Sequence, residues 1–441
     1  MNRFVVSMGI KGFPIKEAQN LITELRNLDS ECFENWRVRK KWEIFQYHYL
    51  KTHLYQARIK SLSEHNELQW SNIPVMKKKD FQNYENLKAT ENKVFVSNTS
   101  GSSGHPFYFA KDKFCHALTW AMILDRYHWH GLKYGESLQA RFYGIPLGWK
   151  ENARERIKDR ISARIRFPIF NLSDSVMKQY LEQFAKYRFD YINGYTSVLT
   201  QFARYLLRER IVLKEICPSL KVIIPTAETL SENDREILLQ AYGLPVVNEY
   251  GASEVGIIAF ENNKAEWIVS NENLFIEIVD DNDQPVEPNR PGRILVTDLF
   301  NKAMPFIRYE IGDIGALSPN KSKGYDILTK LLGRTNDFAI LPSGKKAPGL
   351  TFYYISKNLL ERGFLLKEFI IKQIEPNHFH FEYVSDKELD PYQKKHVSDA
   401  MRIYLEPGLK STFEKKDRIE RSLSGKLKHF QYLVETGEDN K

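Results

Sequence analysis

The most constraining feature of this sequence is a regular alternation of helical and strand-like segments between residues 175 and 251. Apolar residues recur at helical spacing in SVMKQYLEQFAKY, SVLTQFARYLL and SENDREILLQAYG, whereas LKVIIPT and PVVNEYG are short apolar runs typical of buried strands. Ser231 or Asn233 supplies an N-cap for the third helix, and Gly243 ends it. Strands separated by helices of this length predict a mostly parallel sheet that is covered by helices.

The flanking segments have other patterns. The first ninety residues are predicted to be helical, with an apolar series at helical spacing that begins after Pro14. Residues 94–109 have the pattern of a strand, a Gly/Ser loop and a strand, and residues from about 265 to 335 have the pattern of further strands with turns. Residues after about 337 are enough for a small α+β domain of their own.

These patterns predict an α/β fold with two domains. A large N-terminal domain of several subdomains, residues 1–337, is expected to contain the helix-covered, mostly parallel sheet together with the β section. A small α+β C-terminal domain is expected over residues 338–441, with a hinge at Asn336–Asp337.

The composition excludes several classes of protein. Of the 441 residues, 42% are hydrophobic and 27% are charged, which is a typical globular balance. The three cysteines are far apart and provide neither a disulfide framework nor a paired zinc motif. No apolar run reaches the roughly 18 residues needed to span a bilayer, and the apolar patch at the start is too short for a signal-peptide core. We therefore expect a cytoplasmic protein with no stable membrane insertion.

The chain is mildly basic, with a net charge of +8, and its densest basic stretch is residues 36–60. Basic and aromatic residues are interleaved there, as in strips that neutralise phosphates and stack nucleic-acid bases. The same pattern is typical of a helix that packs an aromatic stripe against the core and exposes a basic face. Because no known nucleic-acid motif accompanies the stretch, we favour the helix and expect no nucleic acid as a partner.

The sharpest local signal is the segment SNTSGSSGHP at residues 97–106. Glycines let backbone amides approach an anion closely, and hydroxyl groups donate further hydrogen bonds, so such a loop after a strand suits a polyphosphate. The segment is not a Walker A loop, because no Gly-Lys-Ser/Thr ends it. Taken alone, a Gly/Ser stretch is more often a flexible loop.

Other segments support the phosphate interpretation by resemblance. TSGSSGHP closely resembles the phosphate loop of adenylate-forming enzymes, which make acyl-AMP from a carboxylic acid and ATP. Segments similar to the other signatures of that superfamily follow in its order, at residues 227–229, 249–254, 305–313, 333–337 and 424–428. The stretch IPVMKKKDF at residues 73–81 resembles a stretch of phenylacetate–CoA ligases and of their capsule-associated, CapK-like relatives. The resemblance covers roughly residues 30 to 435.

The resemblance implies a role for each motif. The β- and γ-phosphates would be held by Thr99, Ser100, Gly101, Ser102, Ser103 and Gly104. The adenosine would be bound by Ala227, Glu228, Glu249, Tyr250, Gly251, Ser253, Asp313 and Arg334. Glu254 would be a ligand to Mg²⁺, and Lys426 would bridge the α-phosphate and the incoming carboxylate. The small C-terminal domain would move about Asp337.

The acid pocket is the least readable part of the sequence. By the same resemblance it would be lined by residues 141–144, 193–197 and 251–253, among them Phe142, Tyr143, Tyr195, Gly251 and Ala252. The three aromatic side chains would form a wall that suits a flat or apolar acid. Ordinary core packing explains them equally well.

Two positions depart from the superfamily pattern. His105 stands where the phosphate loop commonly has lysine, so one fixed positive charge is missing there. Ser253 stands where threonine is frequent, which keeps the hydroxyl group.

His378 and His380 alternate in HFHFEYV and therefore share one face of a predicted strand. Two histidines on one strand face can form part of a metal site. Two histidines without a third ligand are more often surface residues, and we favour that interpretation.

We therefore expect an AMP-forming ligase that uses ATP and Mg²⁺ to activate a small carboxylic acid and transfers the acyl group to coenzyme A. The alternative acceptors are an amine of a sugar or amino acid and a carrier-protein thiol, with acyl-carrier protein as a partner. The resemblance also suggests a homodimer. Two interpretations of another class stay open, a nucleic-acid-binding protein and a non-catalytic nucleotide-binding protein. The joint presence of Lys426, Glu254 and Asp313 argues against the second.

Overall fold

A computed structural model describes residues 2–63, 69–81, 94–99, 107–144, 149–334, 338–348, 366–420, 427 and 430–434. The chain forms two compact units. The first consists of Met1–Ile311 and Ala316–Lys330, and the second consists of Gly312–Gly315 and Leu331–Lys441. The predicted hinge residue, Asp337, lies outside the described residues.

The first unit opens with helices α1 (Arg3–Ile10), α2 (Ile15–Arg26), α3 (Ser30–Lys51) and α4 (His53–Ser63). Helix α2 begins directly after Pro14 and buries Ile15, Ala18, Ile22 and Leu25. These residues recur at helical spacing and therefore form one apolar stripe. The prediction of an N-terminal helical region is confirmed for this described part.

The basic and aromatic stretch at residues 36–60 lies on α3 and α4, and its aromatic rings pack inside the protein. The rings of Trp42 and Trp70 meet edge-on with centroids 5.2 Å apart, and those of Phe45 and Tyr55 are 6.1 Å apart. The Lys41 ammonium lies 4.1 Å from the centroid of a further ring, which is a cation–π contact. The rings thus belong to an aromatic cluster rather than to an open stacking strip.

The next elements are a hairpin of β1 (Phe95–Asn98) and β2 (Tyr108–Lys111). Its strands flank the predicted phosphate loop, as the sequence indicated. The central part of the chain then alternates helices and strands in this order: α5 (Lys113–His128), β3 (Gln139–Phe142), α6 (Trp149–Ile161), β4 (Arg164–Phe167), α7 (Asp174–Lys186), β5 (Tyr191–Tyr195), α8 (Thr196–Arg208), α9 (Leu213–Ile216), β6 (Val222–Thr226), α10 (Glu232–Tyr242) and β7 (Glu249–Ala252).

Strands β4, β3, β5, β6 and β7 pair in that order, and each pair is parallel. The predicted caps of α10 are present, since the Ser231 side chain accepts a hydrogen bond from the N–H of Asp234 and Gly243 ends the helix with φ +65°. Side chains alternate between the two faces of the strands. Phe142 and Ile192 belong to the core on one face, and Tyr191 packs with Tyr127 of α5 on the other. Helices therefore cover both faces of this parallel half.

The β section continues the same sheet rather than forming a separate one. It consists of β8 (Gly256–Glu261), β9 (Trp267–Val269), β10 (Leu274–Val279), β11 (Gly292–Asp298), β12 (Tyr309–Ser322) and β13 (Tyr325–Arg334). The strand order across the whole sheet is β10-β11-β12-β13-β9-β8-β7-β6-β5-β3-β4. Strands β7 to β9 pair antiparallel, as do β10 with β11 and β13 with β9.

The second unit has an α+β architecture, as predicted. It contains β14 (Phe338–Ile340), β15 (Lys346–Pro348), β16 (Leu366–Glu375), β17 (His378–Ser385), α11 (Pro391–Tyr404), β18 (Lys410–Lys415) and β19 (Phe430–Tyr432). The last four strands form a sheet in the order β18-β17-β16-β19. Helix α11 begins at a capping box formed by Asp390 and Gln393, and its Val397 and Met401 pack with Phe369 and Phe381 in the core.

Two findings bear on the exclusions made from composition. Cys32 is exposed, Cys115 and Cys217 are buried, and all three are unpaired. Among the described residues, no helix is both long and apolar enough to cross a membrane.

Candidate active site

The candidate site lies at the edge of the sheet where the parallel strands end. The carboxyl ends of parallel strands meet at one edge of a sheet, and the crevice outside that edge is the usual place for a ligand. Strand β3 is followed there by Tyr143, β5 ends at Tyr195, and β6 is followed by Ala227 and Glu228. The rings of Tyr143 and Tyr195 have centroids 4.6 Å apart. The structure therefore brings these two predicted pocket residues together.

Phe142 lies in the core instead of at this edge. It is fully buried, and its ring stacks on that of Phe167 with centroids 4.5 Å apart. It also packs edge-on against Tyr180 of α7. The expectation that Phe142 lines the acid pocket is therefore corrected to a packing role, because its side chain points to the face of β3 that α7 covers.

Arg141 belongs to the stretch that the resemblance placed at the acid pocket. Its guanidinium carbon lies 4.0 Å from the ring centroid of Tyr143, in a cation–π contact. Side chains alternate along β3, so Arg141 points away from the face that buries Phe142. The structure therefore adds a positive charge beside Tyr143 to the candidate site.

Glu249 is bonded to the protein through both carboxylate oxygens. The Thr226 hydroxyl donates to Oε1 at 2.7 Å, and the Tyr127 hydroxyl donates to Oε2 at 3.0 Å. Burial raises the pKa of Glu249 above its ordinary value, against the opposing effects of these two hydroxyls and of Arg141. Glu249 therefore ties β7 to β6 and to α5.

Residues 227–229 form a strained turn after β6. Ala227 is exposed and has φ +66°, a left-handed conformation that costs a non-glycine residue on the order of 1 kcal/mol. The Glu228 carboxylate accepts a hydrogen bond from the N–H of Ser197 at 2.7 Å, and the Thr196 hydroxyl donates to the Glu228 carbonyl at 3.3 Å. Glu228 therefore stabilises the N-terminus of α8, while the strain at Ala227 is of the kind that clusters at functional sites.

The YGASE segment forms the end of β7 and the turn into β8. Tyr250 is buried, and its ring packs edge-on against Trp267 with centroids 6.0 Å apart. A Cβ at Gly251 would lie 2.6 Å from the carbonyl oxygen of Gly256, so only glycine fits this close backbone approach. The accessible or half-buried residues of the turn are Gly251, Ala252 and Ser253.

Glu254 is a buried carboxylate at the same turn, with 2% of the residue exposed. The Tyr309 hydroxyl donates to its Oε1 at 3.0 Å, and Lys78 Nζ lies 3.8 Å from the same oxygen. A buried carboxylate needs such partners, because an unpaired charge is costly away from water. Carboxylate oxygen is also the kind of ligand that Mg²⁺ prefers, so Glu254 fits its expected role. The sequence analysis singled out neither Lys78 nor Tyr309.

Lys78 reaches Glu254 because the segment 69–81 is attached to the start of β12. The fully buried Arg308 side chain donates to the carbonyl of Ser71 at 2.6 Å and to that of Ile73 at 2.7 Å. The resemblance of residues 73–81 to phenylacetate–CoA ligases pointed to this segment as a whole. Only the folded chain identifies its lysine beside the carboxylate.

The remaining predicted residues are placed as follows. Thr99 continues the β1–β2 hairpin by donating its N–H to the carbonyl of Phe107 at 2.9 Å, just before the predicted phosphate loop. Asp313 is buried in β12, and Arg334 is the last residue of β13; both belong to the second compact unit. The predicted residues Ser100, Gly101, Ser102, Ser103, Gly104, Asp337 and Lys426 lie outside the described residues.

Sequence comparison relates this chain to two kinds of protein. Protein CapK of Staphylococcus aureus is 25% identical over 337 residues, which cover 74% of this chain and 70% of CapK. A phenylacetate–coenzyme A ligase of Aromatoleum evansii is 30% identical over 145 residues, which cover 32% of this chain and 33% of that enzyme. No family model matches the chain.

Solved structures share the fold. A 2-hydroxyisobutyryl-CoA ligase in the postadenylation state, in complex with R3-HIB-AMP, superimposes with a TM-score of 0.70 at 14% identity, over 91% of this chain and 90% of the ligase. The amide bond synthetase McbA of Marinactinospora thermotolerans superimposes with a TM-score of 0.53 at 15% identity, over 74% of this chain and 65% of its own.

The chain is thus similar in sequence to CapK and, over a shorter stretch, to phenylacetate–coenzyme A ligases. It shares the fold of a coenzyme A ligase over nine tenths of its length.

Proposed function

We propose that this protein is an AMP-forming ligase that activates a small carboxylic acid with ATP and Mg²⁺ and transfers the acyl group to coenzyme A. The observation that carries the proposal is the environment of Glu254. This buried carboxylate is paired with Lys78 and Tyr309. Glu254 comes shortly after β7, which lies in the same parallel half of the sheet as β3 and β5. Tyr143 follows β3, and Tyr195 ends β5.

The first step of the reaction is attack of a substrate carboxylate oxygen on the α-phosphorus of ATP, which forms acyl-AMP and releases pyrophosphate. Both reactants are anions, so catalysis depends on positioning and on positive charge at the phosphates. Mg²⁺ held by Glu254 would neutralise phosphate charge. Lys78 supplies a second positive charge next to the same carboxylate.

The remaining proposed roles fall to residues of both units. We assign Lys426 to the α-phosphate and the incoming carboxylate, where a flexible ammonium group can follow the transferred charge. Asp313 would accept hydrogen bonds from the ribose hydroxyls, with Arg334 donating nearby. The hydroxyl and glycine residues 99–104 would hold the β- and γ-phosphates.

The acid is proposed to be flat or aromatic. The paired rings of Tyr143 and Tyr195 offer an apolar wall at the strand ends. Arg141 lies against the ring of Tyr143 and adds a positive charge on that side. The two rings favour an aromatic acid over a long saturated chain, because a flat ring can pack against them.

In the second step the acceptor attacks the acyl carbonyl and AMP leaves. We favour coenzyme A because the ligase relatives and the fold neighbour with the higher TM-score are coenzyme A ligases. An amine acceptor is the second candidate, supported by the shared fold of an amide bond synthetase. A carrier-protein thiol, a homodimer and a cytoplasmic location belong to the same proposal.

The test is acid-dependent exchange of label between pyrophosphate and ATP, measured with pools of aryl, fatty, hydroxy and amino acids. We expect one aryl-containing pool to support exchange, and the Lys426→Ala variant to lose it. Folded protein that binds ATP but is silent with every pool would contradict the proposed adenylation. Once the acid is known, product formation with coenzyme A, with amines or with acyl-carrier protein decides the acceptor.

A further inference from the structure

The sheet of the second unit carries a histidine and two carboxylates on one face. Strands β17 and β18 are parallel neighbours, with His380 opposite Thr412 and Glu382 opposite Glu414. Because side chains alternate along a strand, His378, His380 and Glu382 point to the same side. The sequence analysis considered only the two histidines of this face. Glu382 lies two residues further along the same strand, and the neighbouring strand supplies Glu414.

The three side chains lie close enough to share one ion. The ligand atoms of His380, Glu382 and Glu414 all lie within 4.8 Å of one another. His380 Nε2 is 3.3 Å from Glu414 Oε2 and 4.0 Å from Glu382 Oε1. A tetrahedral ion with bonds near 2.0 Å holds its ligand atoms about 3.3 Å apart, so a small rotation of Glu382 completes the set.

Thr412 orients His380 for this role. Its hydroxyl oxygen is 2.9 Å from His380 Nδ1 and 3.0 Å from His378 Nε2. When the hydroxyl accepts from His380 Nδ1–H and donates to His378 Nε2, the Nε2 atom of His380 keeps its lone pair. A hydrogen bond from the second ring nitrogen is the usual support of a metal-bound histidine.

That arrangement leaves His380 Nε2 and a carboxylate oxygen facing each other as two acceptors. Two acceptors at 3.3 Å repel unless a cation lies between them. A metal ion bound to both atoms would remove this repulsion. Lys372 and Lys416 pair with Glu382 and Glu414 through their Oε1 atoms, so part of the carboxylate charge is already neutralised.

We propose that His380, Glu382 and Glu414 bind a divalent first-row transition ion of the Zn²⁺ type. A site with an imidazole nitrogen and two carboxylate oxygens suits Zn²⁺ or Co²⁺, whereas Mg²⁺ prefers oxygen ligands alone. All three side chains retain some exposure, so an ion can enter from solvent. A bound ion would link the edge strand β18 to β17. We expect its effect on stability to be independent of the ATP site.

The experiment uses the full chain, treated with a chelator and dialysed, without ATP. Co²⁺ is added in steps, and its visible absorption is recorded, because the bands report nitrogen and oxygen ligands. Zn²⁺ is then added to displace Co²⁺ and measure the relative affinity. We expect one equivalent of Co²⁺ to bind and the melting temperature of the chain to rise with the metal.

Four variants test whether the metal ion binds at this cluster or elsewhere on the chain. His380→Ala should lose the Co²⁺ bands, and Thr412→Val should weaken binding by about tenfold, as expected for a group that only orients a ligand. His396→Ala, on α11 of the same unit, is the matched control and should bind like the wild type. Glu254→Gln should also bind Co²⁺ normally. That result would exclude the proposed Mg²⁺ site as the place where Co²⁺ binds.

Two outcomes would overturn the proposal. Binding that persists in His380→Ala would place the metal elsewhere on the chain. Failure of the folded wild type to bind Co²⁺ or Zn²⁺ at millimolar concentration would identify the cluster as a set of hydrogen bonds and ion pairs that holds no metal.

Discussion

At the residue scale, the surroundings of two glutamates five positions apart give them different roles. Glu249 accepts hydrogen bonds from two neutral hydroxyls, and burial raises its pKa, which favours the neutral acid. Glu254 is equally part of the motif but faces an ammonium group as well as a hydroxyl. Both carboxylate oxygens of Glu249 already accept hydrogen bonds within the protein, which makes Glu254 the stronger candidate for the proposed Mg²⁺ ligand.

Replacing Glu254 with glutamine should reduce acid-dependent ATP–pyrophosphate exchange by about 10²–10³-fold, because a neutral amide binds Mg²⁺ poorly. The Mg²⁺ concentration that gives the half-maximal rate should rise in the same variant. Exchange rates measured over a Mg²⁺ series check both expectations.

Glu310→Gln is the matched control for that change. Glu310 is a half-buried acid on β12 that pairs with Arg293 at 2.9 Å and lies outside the proposed site. Its variant should retain the wild-type Mg²⁺ dependence. An equal loss of exchange in both variants would show that the effect is general destabilisation.

Because its ring is buried, His48 should lower the free energy of unfolding when the pH falls into the mildly acidic range. The ring is fully buried between the Asn301 carbonyl, 2.8 Å from Nε2, and the Thr52 hydroxyl. Burial lowers the pKa of His48 to about 4 from 6.5. The unfolded chain therefore takes up the proton first as the pH falls below 6.5, and stability is lost progressively down to pH 4. The loss from this residue at pH 5 is about 2 kcal/mol.

The measurement is the free energy of unfolding in urea at pH 7 and at pH 5. His48→Gln should be less stable at pH 7, because it removes a packed ring, but should lose about 2 kcal/mol less than the wild type between the two pH values. A variant with the same pH dependence as the wild type would refute the assignment. His116, whose pKa burial lowers to about 3, contributes to the remaining dependence.

At the scale of elements, one buried arginine connects several segments of the chain. Arg308 begins the approach to β12 with φ +45° and is fully buried. It donates to carbonyls of the segment 69–81 and, at 2.8 Å, to the carbonyl of Asp283, and its Nε lies 3.2 Å from Glu277 Oε1. One arginine thus joins the segment that carries Lys78 to the β10–β12 part of the sheet.

Arg308→Met should lower the free energy of unfolding by about 3–5 kcal/mol, because it leaves a buried carboxylate and several carbonyls without their partner. Arg293→Met is the comparison, since Arg293 makes similar pairs with 13% of its side chain exposed. It should cost about 1 kcal/mol. Urea unfolding gives the free energy of unfolding of both variants. Tryptophan fluorescence can follow the unfolding, because Trp70 donates a hydrogen bond at 2.9 Å to Glu277, the carboxylate that pairs with Arg308. Equal costs would contradict the role given to Arg308.

At the scale of the whole molecule, the proposed catalytic residues are divided between the two compact units. Glu254, Lys78 and the strand-end tyrosines belong to the first unit, whereas Asp313 and Lys426 belong to the second. A variant that affects only one chemical step loses one half-reaction and keeps the other.

Lys426→Ala should reduce ATP–pyrophosphate exchange by about 10²–10³-fold, because the charge on the α-phosphate is lost in the first step. With synthetic acyl-AMP supplied, the same variant should still form the thioester with coenzyme A within about tenfold of the wild-type rate. Lys428→Ala, a neighbouring lysine of the same segment, is the control and should behave as the wild type in both assays. Loss of both half-reactions in Lys426→Ala would refute a role restricted to adenylation.

The sequence by itself determined the class of fold and most of the candidate residues. Apolar periodicity predicted the helices α7, α8 and α10, and short apolar runs predicted the strands β6 and β7, because burial imposes such patterns on the chain. The order of short motifs predicted the family, because each is a loop or turn whose backbone geometry restricts its residues, as Gly251 illustrates.

Only the tertiary structure decided which side chains share a site. Lys78 and Glu254 are far apart along the chain and meet through the buried contacts of Arg308. Phe142 and Tyr143 are adjacent in sequence, yet Phe142 is in the core and Tyr143 faces Tyr195. Long-range contacts of this kind leave no periodic signal, because burial and pairing depend on where strands distant in sequence are placed side by side.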